Sequence, residues 1–318
     1  MTPRTRKAAA VPLASVERRS GASAQAVLRL MRPHHWVKNL LLFVPLMTAH
    51  RLADAGALLA EVRAIVAVCL ASSAVYALND LVDLAADRTH PTKRTRPLAS
   101  GAVKASLALP IAVVLMLAAA LVAAPLPAVF AAALGAYVAG AVAYSLWLKR
   151  MRAVDVVVLG GLYALRMQLG AAAIGVPASA WLLSFAVCLF LSLALLKRYV
   201  ELDAAARDGR DVGRSRGYRV PDRRAILGAG AASGALAVGV LGLYPFGPEA
   251  ALYYRSPLAL VALAPLVALW LVRAWRVALR GAMHDDPILF ALRDVPSYGV
   301  LVALVVATEA AALLPRAA

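Results

Sequence analysis

Long apolar runs constrain the fold of this chain more than any other feature, because they recur along most of its length. Each predicted membrane helix needs enough apolar residues to cross a hydrocarbon core of ~30 Å. The candidate runs lie near 36–50, 62–79, 105–124, 127–147, 154–174, 179–197, 225–244, 256–275 and 296–314. The first run is short and contains Pro45. This pattern predicts an all-α, polytopic membrane protein with nine transmembrane helices.

Composition agrees with a membrane protein rather than a soluble one. Of the 318 residues, 62% are hydrophobic and 16% are charged, whereas soluble domains carry about 25% charged residues. Residues 1–30 are polar and basic and lack the apolar segment of a signal peptide, so we expect a disordered, basic cytosolic tail there. Residues 31–318 are expected to form one nine-helix membrane domain.

The net charge of +17 is concentrated in alternate loops. The N-terminal segment and the loops on the same side hold 29 of the 34 Lys and Arg residues, whereas the opposite loops hold four. Because basic loops remain in the cytoplasm, the asymmetry predicts an inner (cytoplasmic) membrane protein whose N-terminus faces the cytoplasm. It also explains the charge without nucleic acid as a partner, since the loops offer few aromatic residues for base stacking.

The most polar segment, NDLVDLAADRTHPTKRTRPLASG at 79–101, follows an apolar run. Asn79, Asp83 and Asp87 are spaced i, i+4, i+8, so they share one face of a helix, and Asp80 flanks that face. Neighbouring carboxylates repel one another unless a cation is present. Mg²⁺ prefers oxygen ligands and shares its remaining positions with substrate phosphates. We therefore expect these four residues to bind Mg²⁺ as a cofactor at the cytoplasmic end of the helix.

Basic residues follow the acidic ones within the same segment. Lys93, Arg94 and Arg96 are suited to bind a phosphate or diphosphate beside the metal. Lys104 is better explained as an ordinary basic residue of a cytoplasmic loop.

NDLVDLAAD followed by KRTRPLASG resembles the motif of the UbiA superfamily of intramembrane transferases, and the resemblance extends from about residue 30 to 315. It implies an all-α bundle around a central, lipid-accessible cavity, with Mg²⁺ holding a diphosphate at the cytoplasmic mouth. Prenyltransferases of this superfamily typically carry a second motif, D-x-x-x-D, after the sixth span. This chain instead has LLKRYVELDAAARDGRDVGRSRGYR at 195–219, with fewer aligned carboxylates and more positive charge.

Further stretches look like the branch of the superfamily typified by decaprenyl-phosphate phosphoribosyltransferase. They are RPHHWVKNLLLFVPL at 32–46, YSLWLKRMRAVDVVVLGGLYALR at 144–166, KRYVEL at 197–202 and DDPILFALRD at 285–294. The His34-His35 pair departs from that branch. The resemblance implies that 5-phosphoribosyl 1-diphosphate is the donor and a polyprenyl phosphate the acceptor. The product would be a precursor of lipid-linked arabinofuranose.

The resemblance and the charge pattern together give a set of expected site residues. The expected catalytic residues are Asp83, Asp87, Lys197 and Glu201. The expected substrate-binding residues are Lys38, Asn39, Arg94, Arg96, Tyr144, Lys149, Asp155, Arg166 and Arg198. Arg166 lies within a span, where a charged residue usually faces a cavity or a partner, so phosphate binding and a structural ion pair are both open. Asp285, Asp286 and Asp294 are expected to shape a helix cap.

Two other functions compete with phosphoribosyl transfer. A prenyltransferase that passes a prenyl chain to an aromatic or other small acceptor would share the first motif, but the absence of the second aspartate motif counts against it. A transporter or channel would explain many spans and buried polar groups. It would not explain the aligned carboxylates followed by KRTRP, and the sequence has no inverted repeat of the transporter kind.

Overall fold

The computed structural model describes residues 23–90, 92–207, 217–283 and 287–313, and these residues form helices and connecting turns with no strand. The helices are α1 (Ala24–Met31), α2 (Phe43–Thr48), α3 (Ala55–Val82), α4 (Leu84–Thr89), α5 (Ala105–Ala123), α6 (Ala128–Leu146), α7 (Val154–Ala173), α8 (Ala180–Arg207), α9 (Arg223–Leu243), α10 (Pro248–Tyr253), α11 (Leu263–Leu279), α12 (Pro287–Ala291) and α13 (Val295–Leu313). The prediction of an all-α membrane bundle is therefore confirmed.

Eight helices are long and apolar enough to cross a membrane, counting only the residues that the structure describes. They are α3, α5, α6, α7, α8, α9, α11 and α13, with α9 and α11 extended by adjoining 3-10 turns. The predicted span at 36–50 is instead a 3-10 segment, Pro33–Leu42, followed by the six-residue α2. Pro45 has no N–H to donate to the preceding turn, which disfavours one regular helix. The count of nine full-length helices is thus corrected to eight plus this shorter helical stretch.

Part of the segment predicted to be a disordered tail is helical, because α1 begins at Ala24. Ser23 caps this helix by accepting a hydrogen bond from the Ala26 N–H at 3.2 Å. Leu30 is fully buried in an apolar cluster with residues of α3 and α5. Burial of Leu30 favours an ordered helix, so the expectation of disorder is wrong for residues 24–30. Residues 1–22 lie outside the described residues.

Helices α3 and α7 form the centre of the bundle. Their apolar windows are 56% and 61% buried, compared with 11% for α13, so α13 presents most of its surface outward. Residues of α7 pack on one side against α8 and α11, and on the other side against α3 and α6. Close packing at this centre is visible at Gly170, where a Cβ atom would lie 2.1 Å from the Leu42 carbonyl oxygen.

The lengths of α3 and α8 determine where their polar ends lie. Each has 28 residues, and a helix of that length extends about 42 Å, more than the apolar core of a bilayer. The polar residues at the C-terminal ends of both helices therefore reach the membrane surface while their apolar turns remain inside.

Candidate active site

The acidic motif lies at a break between two helices. Helix α3 ends at Val82, Asp83 has φ −86° and ψ 4°, and α4 begins at the next residue. The Asp83 N–H still donates to the Asn79 carbonyl, and the Asp87 N–H to the Asp83 carbonyl, both at 2.9 Å. The predicted spacing is thus largely preserved, but the expected continuous helix is interrupted at Asp83. Asp83 therefore caps the C-terminus of α3 and precedes α4, and its side chain can point away from the axis of α3.

Asn79 and Asp83 converge on the ammonium group of Lys149. Lys149 Nζ lies 3.3 Å from Asn79 Oδ1 and 2.8 Å from Asp83 Oδ2. The lysine follows α6 in a short 3-10 turn, Leu148–Arg150. Two side-chain oxygen atoms therefore face one cation at this point, as they would face a bound metal ion.

Asp80 and Asp87 are paired with arginines instead. Arg96 Nη1 lies 3.2 Å from Asp80 Oδ1 and 2.6 Å from Asp87 Oδ2, and Arg32 forms a second ion pair with Asp80. Both carboxylates are almost fully buried. Asp80 Oδ2 accepts no hydrogen bond from a described residue. We call the residues from Asn79 to Asp87, together with Arg32, Arg96 and Lys149, the first polar site.

The donor set of the first polar site fits Mg²⁺ through Asn79 and Asp83. Within the described ranges, no three His, Cys, Asp or Glu side chains converge on one point. Mg²⁺ does not require three, because it is usually held by one or two carboxylates together with substrate phosphates. Asp80 and Asp87 contact arginines, so the structure does not bring all four predicted ligands together.

Arg94, predicted to bind phosphate, lies in the turn after α4. Its side chain is exposed and forms no ion pair with a described residue. Arg96, two residues later, is held by the aspartates. The structure therefore separates the two arginines, with Arg94 facing solvent and Arg96 tied to the helix ends.

A second polar site lies where α7 begins and α8 approaches its end. Asp155 is fully buried in the first turn of α7, and its Oδ2 accepts a hydrogen bond from Arg198 Nε at 2.7 Å. Arg198 also forms an ion pair with Glu201, one turn later in α8. Although Arg198 is 1% exposed, its Nη2 donates to no described residue. A buried guanidinium thus retains an unused donor at this site.

Tyr218 completes the second polar site and was missed by sequence reasoning. Its hydroxyl donates to Asp155 Oδ1 at 2.6 Å and accepts from the Ala153 N–H at 2.9 Å. Burial and the hydrogen bond to the Asp155 carboxylate raise the pKa of Tyr218 to about 12. The phenol therefore remains a hydrogen-bond donor at neutral pH. Ala153 has a left-handed backbone, φ 64°, which directs its N–H toward Tyr218.

Lys197 and Tyr144 border the second polar site. Both side chains are half-buried, and the Tyr144 hydroxyl lies near enough to Arg198 to interact with it electrostatically. Glu201, which we expected to act with Lys197, is paired with Arg198. These placements agree with a polar surface formed by α6 and α8 around Arg198.

Arg166 lies at the centre of the bundle with its donors engaged. Its guanidinium donates to Asn39 Oδ1 at 3.0 Å, to the Tyr137 hydroxyl at 2.8 Å and to the Leu162 carbonyl at 2.9 Å. The rings of Tyr137 and Tyr163 lie 5.0 and 4.9 Å from its Cζ. Arg166 is thus held by neutral oxygen atoms and aromatic rings, neither as an exposed phosphate ligand nor in an ion pair with a described carboxylate.

Lys38 and Asn39 are placed beside this central arginine. Lys38 Nζ lies 5.7 Å from the centre of the Tyr163 ring. Asn39 is 2% exposed and bridges Arg166 to Cys69 Sγ, which its Nδ2 contacts at 3.2 Å. Asn39 therefore orients Arg166 in this arrangement.

The other expected features have mixed outcomes. Asp294 does cap a helix, because it accepts hydrogen bonds from the Ser297 N–H and hydroxyl at 3.1 and 2.8 Å. The hydrogen bond from the Arg273 guanidinium, together with these two bonds, lowers the pKa of the Asp294 carboxyl. Asp285 and Asp286 lie outside the described residues.

Pockets of about 500 and 870 Å³ are present, but neither is lined by a residue of the two polar sites.

Sequence reasoning also missed Arg32, Tyr137 and Glu61. Tyr137 could have been found, because it lies seven residues before Tyr144 on the same face of α6. Arg32 contacts Asp80 across 48 residues of sequence, which no local pattern reveals. Glu61 is fully buried in α3, and both carboxyl oxygens lack a hydrogen-bond partner among the described residues.

The fold is a bundle of apolar helices with two clusters of paired acidic and basic side chains near one end, which is the architecture of an integral membrane protein. Comparison with known families shows to which family the chain belongs. Residues 42–293 match the UbiA prenyltransferase family, so the chain belongs to that family.

Curated relatives refine this assignment. The chain is 40% identical to an uncharacterized protein, y4nM, of Sinorhizobium fredii over 86% of its own length, and it spans 54% of that relative. It is 35% identical to the nodulation protein NoeC of Azorhizobium caulinodans, covering 83% of this chain and 85% of NoeC. It is 34% identical to the decaprenyl-phosphate phosphoribosyltransferase of Mycolicibacterium smegmatis, covering 59% and 61%. The expected similarity to that branch is confirmed.

The fold is also that of a solved UbiA homolog. The structure from Archaeoglobus fulgidus, bound to GPP and Mg²⁺, superimposes with a TM-score of 0.68 at 16% identity, over 91% of this chain and all of the homolog. At this identity the comparison establishes the fold. The protein is therefore an integral membrane protein of a transferase family with the UbiA helical fold.

Proposed function

We propose that the protein transfers the 5-phosphoribosyl group from 5-phosphoribosyl 1-diphosphate to a polyprenyl phosphate and releases diphosphate. The observation that carries the proposal is the second polar site, where a buried Arg198 with an unused donor is present. An unused N–H group of a guanidinium favours an anionic oxygen as its acceptor. The name of the Mycolicibacterium relative supports the same reaction.

The first polar site is the proposed position of the donor diphosphate. Asn79 and Asp83 would hold Mg²⁺, which when bound supplies positive charge to the leaving diphosphate. Arg94 would approach the diphosphate from its exposed position. Asp80 and Asp87 fix Arg96 beside them, so in this proposal they position a cation rather than bind the metal.

Binding a metal at Asn79 and Asp83 requires Lys149 to move. Its ammonium group lies within hydrogen-bonding distance of both oxygen atoms, and two cations could not occupy the same position. A lysine side chain is flexible, so Lys149 can turn from the acidic residues toward a substrate phosphate. Lys149 would then exchange one anionic partner for another when the donor and metal bind.

The second polar site is the proposed position of the 5-phosphate. Arg198 would donate through its unused Nη2, and the adjacent Lys197 would add positive charge. Asp155 and Glu201 hold the guanidinium in place. Both sites flank the short connection between α6 and α7, so a donor with phosphates at two ends could contact both.

The reaction needs little acid–base chemistry. The bond from ribose C1 to the diphosphate oxygen breaks, and the electron pair leaves with diphosphate. An oxygen of the lipid phosphate, already anionic near neutral pH, forms the new bond to C1. Catalysis would therefore rest on positioning and electrostatic stabilisation. Lys38 is the proposed contact for the lipid phosphate, whereas Tyr144, beside Arg198, is a proposed contact for the donor.

We further propose an orientation in the inner membrane with both polar sites facing the cytoplasm. The connections near Asp83, Lys149 and Arg198 lie at one end of the bundle and belong to the side that holds 29 Lys and Arg residues. This orientation agrees with a water-soluble donor from the cytoplasm. Supply of lipid-linked arabinofuranose is the use that we propose for the product.

A prenyltransferase reaction is the second candidate, favoured by the family assignment and by the fold shared with a homolog bound to GPP and Mg²⁺. One experiment separates the two. Purified protein is given Mg²⁺ with either 5-phosphoribosyl 1-diphosphate and a polyprenyl phosphate, or a prenyl diphosphate and an aromatic acid. We expect a lipid-extractable product only from the first pair. Product only from the second pair would replace the proposal with prenyl transfer.

A further inference from the structure

A second ligand-sized space lies at the end of the bundle opposite the two polar sites. Asp155 is in the first turn of α7, whereas Ala171 near the other end lines a pocket of about 500 Å³. The 20 residues of α7 extend about 30 Å, roughly the apolar thickness of a bilayer. This outer pocket is therefore separated from the polar sites by the membrane core. Its volume lies within the range of small-molecule sites, about 300–1,000 Å³.

Three aromatic rings line the outer pocket near the helix ends that are farthest from the polar sites, and we call this part of the pocket its entrance. The ring centres of Trp181 and Tyr244 are 6.1 Å apart with planes inclined by 59°, and those of Tyr244 and Tyr254 are 6.3 Å apart and nearly perpendicular. The turn at Gly247 lies against Trp181, since a Cβ atom there would be 3.4 Å from the ring. The three rings thus enclose a corner in which more than one aromatic face is available to a ligand.

The charge of the entrance is negative. Glu249 lines the pocket beside these rings, and its Oε2 accepts a hydrogen bond from the Ser179 hydroxyl at 3.1 Å. No Lys or Arg is present among the described residues that line the pocket; Arg255 is exposed and outside the lining. Aromatic faces together with a carboxylate recognise ammonium groups through cation–π and ionic contacts. The same surface repels an anionic headgroup such as a lipid phosphate monoester.

The interior of the outer pocket is apolar. It is lined by Met167, Phe185, Leu241 and Leu263, which lie deeper in the bundle than the entrance residues. Such a surface accepts a hydrocarbon chain. A polar, anionic entrance above an apolar interior matches an amphiphile whose headgroup ends in an ammonium group.

We propose that the outer pocket binds a lipid with an ammonium headgroup, of the phosphatidylethanolamine class. The ammonium contacts Glu249 and the faces of Trp181 and Tyr244, while one acyl chain extends toward Met167 and Phe185. This site is separate from the transfer reaction, so it can be tested whether or not the proposed reaction is right.

Native mass spectrometry of the delipidated, full-length protein in detergent tests the proposal. Phosphatidylethanolamine and phosphatidylglycerol with identical acyl chains are titrated separately. We expect the unmodified protein to bind phosphatidylethanolamine roughly tenfold more tightly, a ratio that lies between the limits for an exposed and a desolvated cation–π contact. Equal affinity for the two lipids would overturn the proposal.

Variants locate the binding to this pocket. Glu249→Gln and Trp181→Leu should each remove most of the preference for phosphatidylethanolamine and leave phosphatidylglycerol binding unchanged. Asp54→Asn is the matched control, because it removes an exposed carboxylate that is paired with Arg51 at the same end of the bundle, and it should keep the preference. If Glu249→Gln keeps it, the assigned headgroup contact is wrong. Glycerophosphoethanolamine, which has no acyl chain, should fail to compete, and full competition would refute the proposed chain position.

Discussion

Asp83 and Asn79 direct two oxygen atoms at a single ammonium group, and this contact is the smallest unit of the proposed active site. Lys149 occupies the point where a hard cation would be bound. The nearby carboxylates of Asp80 and Asp87 are already neutralised by arginines. In the proposed function, residues of one motif therefore divide between metal binding and the positioning of Arg96.

Replacing Asp83 tests this division. Asp83→Ala should reduce transfer by about 100-fold or more, as expected when charge stabilisation of a leaving group is lost. The less drastic Asp83→Asn should raise the Mg²⁺ concentration needed for half-maximal rate. Both are measured by initial rates over a Mg²⁺ titration, with size-exclusion profiles to verify folding. Near-normal activity of folded Asp83→Ala would remove the metal assignment.

Tyr218 is expected to act by positioning Asp155. Tyr218→Phe removes only the hydroxyl that links the Asp155 carboxylate to the Ala153 N–H, and a lost hydrogen bond to a charged group costs about 1.5–3 kcal/mol. Arg198, held by Asp155, should then bind the donor less well. Kinetics should show a higher KM for 5-phosphoribosyl 1-diphosphate with little change in the KM for the lipid acceptor. Equal effects on both substrates would indicate a general structural defect.

At the scale of whole elements, α8, which carries Arg198 of the second polar site, packs against α9 and α11. Ser192 in α8 donates to the Gly230 carbonyl of α9 at 2.7 Å, and Trp275 in α11 donates to the Ser192 hydroxyl at 3.2 Å. Gly230 permits this contact, because a Cβ atom there would lie 2.2 Å from the Trp275 ring. The large indole ring and the absent side chain are complementary in shape.

Two glycines on the same helix give a matched comparison. Gly230→Ala should destabilise the protein by about 1–3 kcal/mol or more, because the added methyl overpacks a buried contact. Gly228→Ala adds the same methyl group where no atom lies within 4 Å, so it should be neutral or slightly stabilising. Thermal unfolding in detergent measures both. Similar melting temperatures for the two variants would show that the contact of α9 with Trp275 is loose.

The elements also show where sequence reasoning succeeds and where it does not. Apolar runs predict the long spans because a bilayer demands length and hydrophobicity along the chain itself. The break at Asp83 was missed because i, i+4, i+8 spacing is equally compatible with a continuous helix. The pairing of Tyr218 with Asp155 joins residues 63 positions apart, and only the tertiary fold brings the start of α7 next to the turn that precedes α9. Arg166 was recognised as unusual, but its neutral partners could not be inferred locally.

In the whole molecule, the polar sites, the central arginine and the outer pocket lie at different depths along the bundle. Both polar sites lie at one end, Arg166 occupies the centre between aromatic rings, and the outer pocket lies at the other end. A water-soluble donor and a lipid acceptor can meet only near a membrane surface. In the proposed function, sugar transfer takes place at the polar end, and the opposite end is the proposed site for a lipid with different headgroup chemistry.

The most direct test of the proposed reaction follows the two halves of the donor separately. Purified protein is incubated with Mg²⁺, a polyprenyl phosphate, and 5-phosphoribosyl 1-diphosphate labelled with ¹⁴C in the ribose and ³²P in the diphosphate. After organic extraction, we expect the ¹⁴C label in the lipid phase and an equal amount of ³²P released as diphosphate in the aqueous phase. Failure of ¹⁴C to enter the lipid, or entry of ³²P with it, would contradict the proposed transfer.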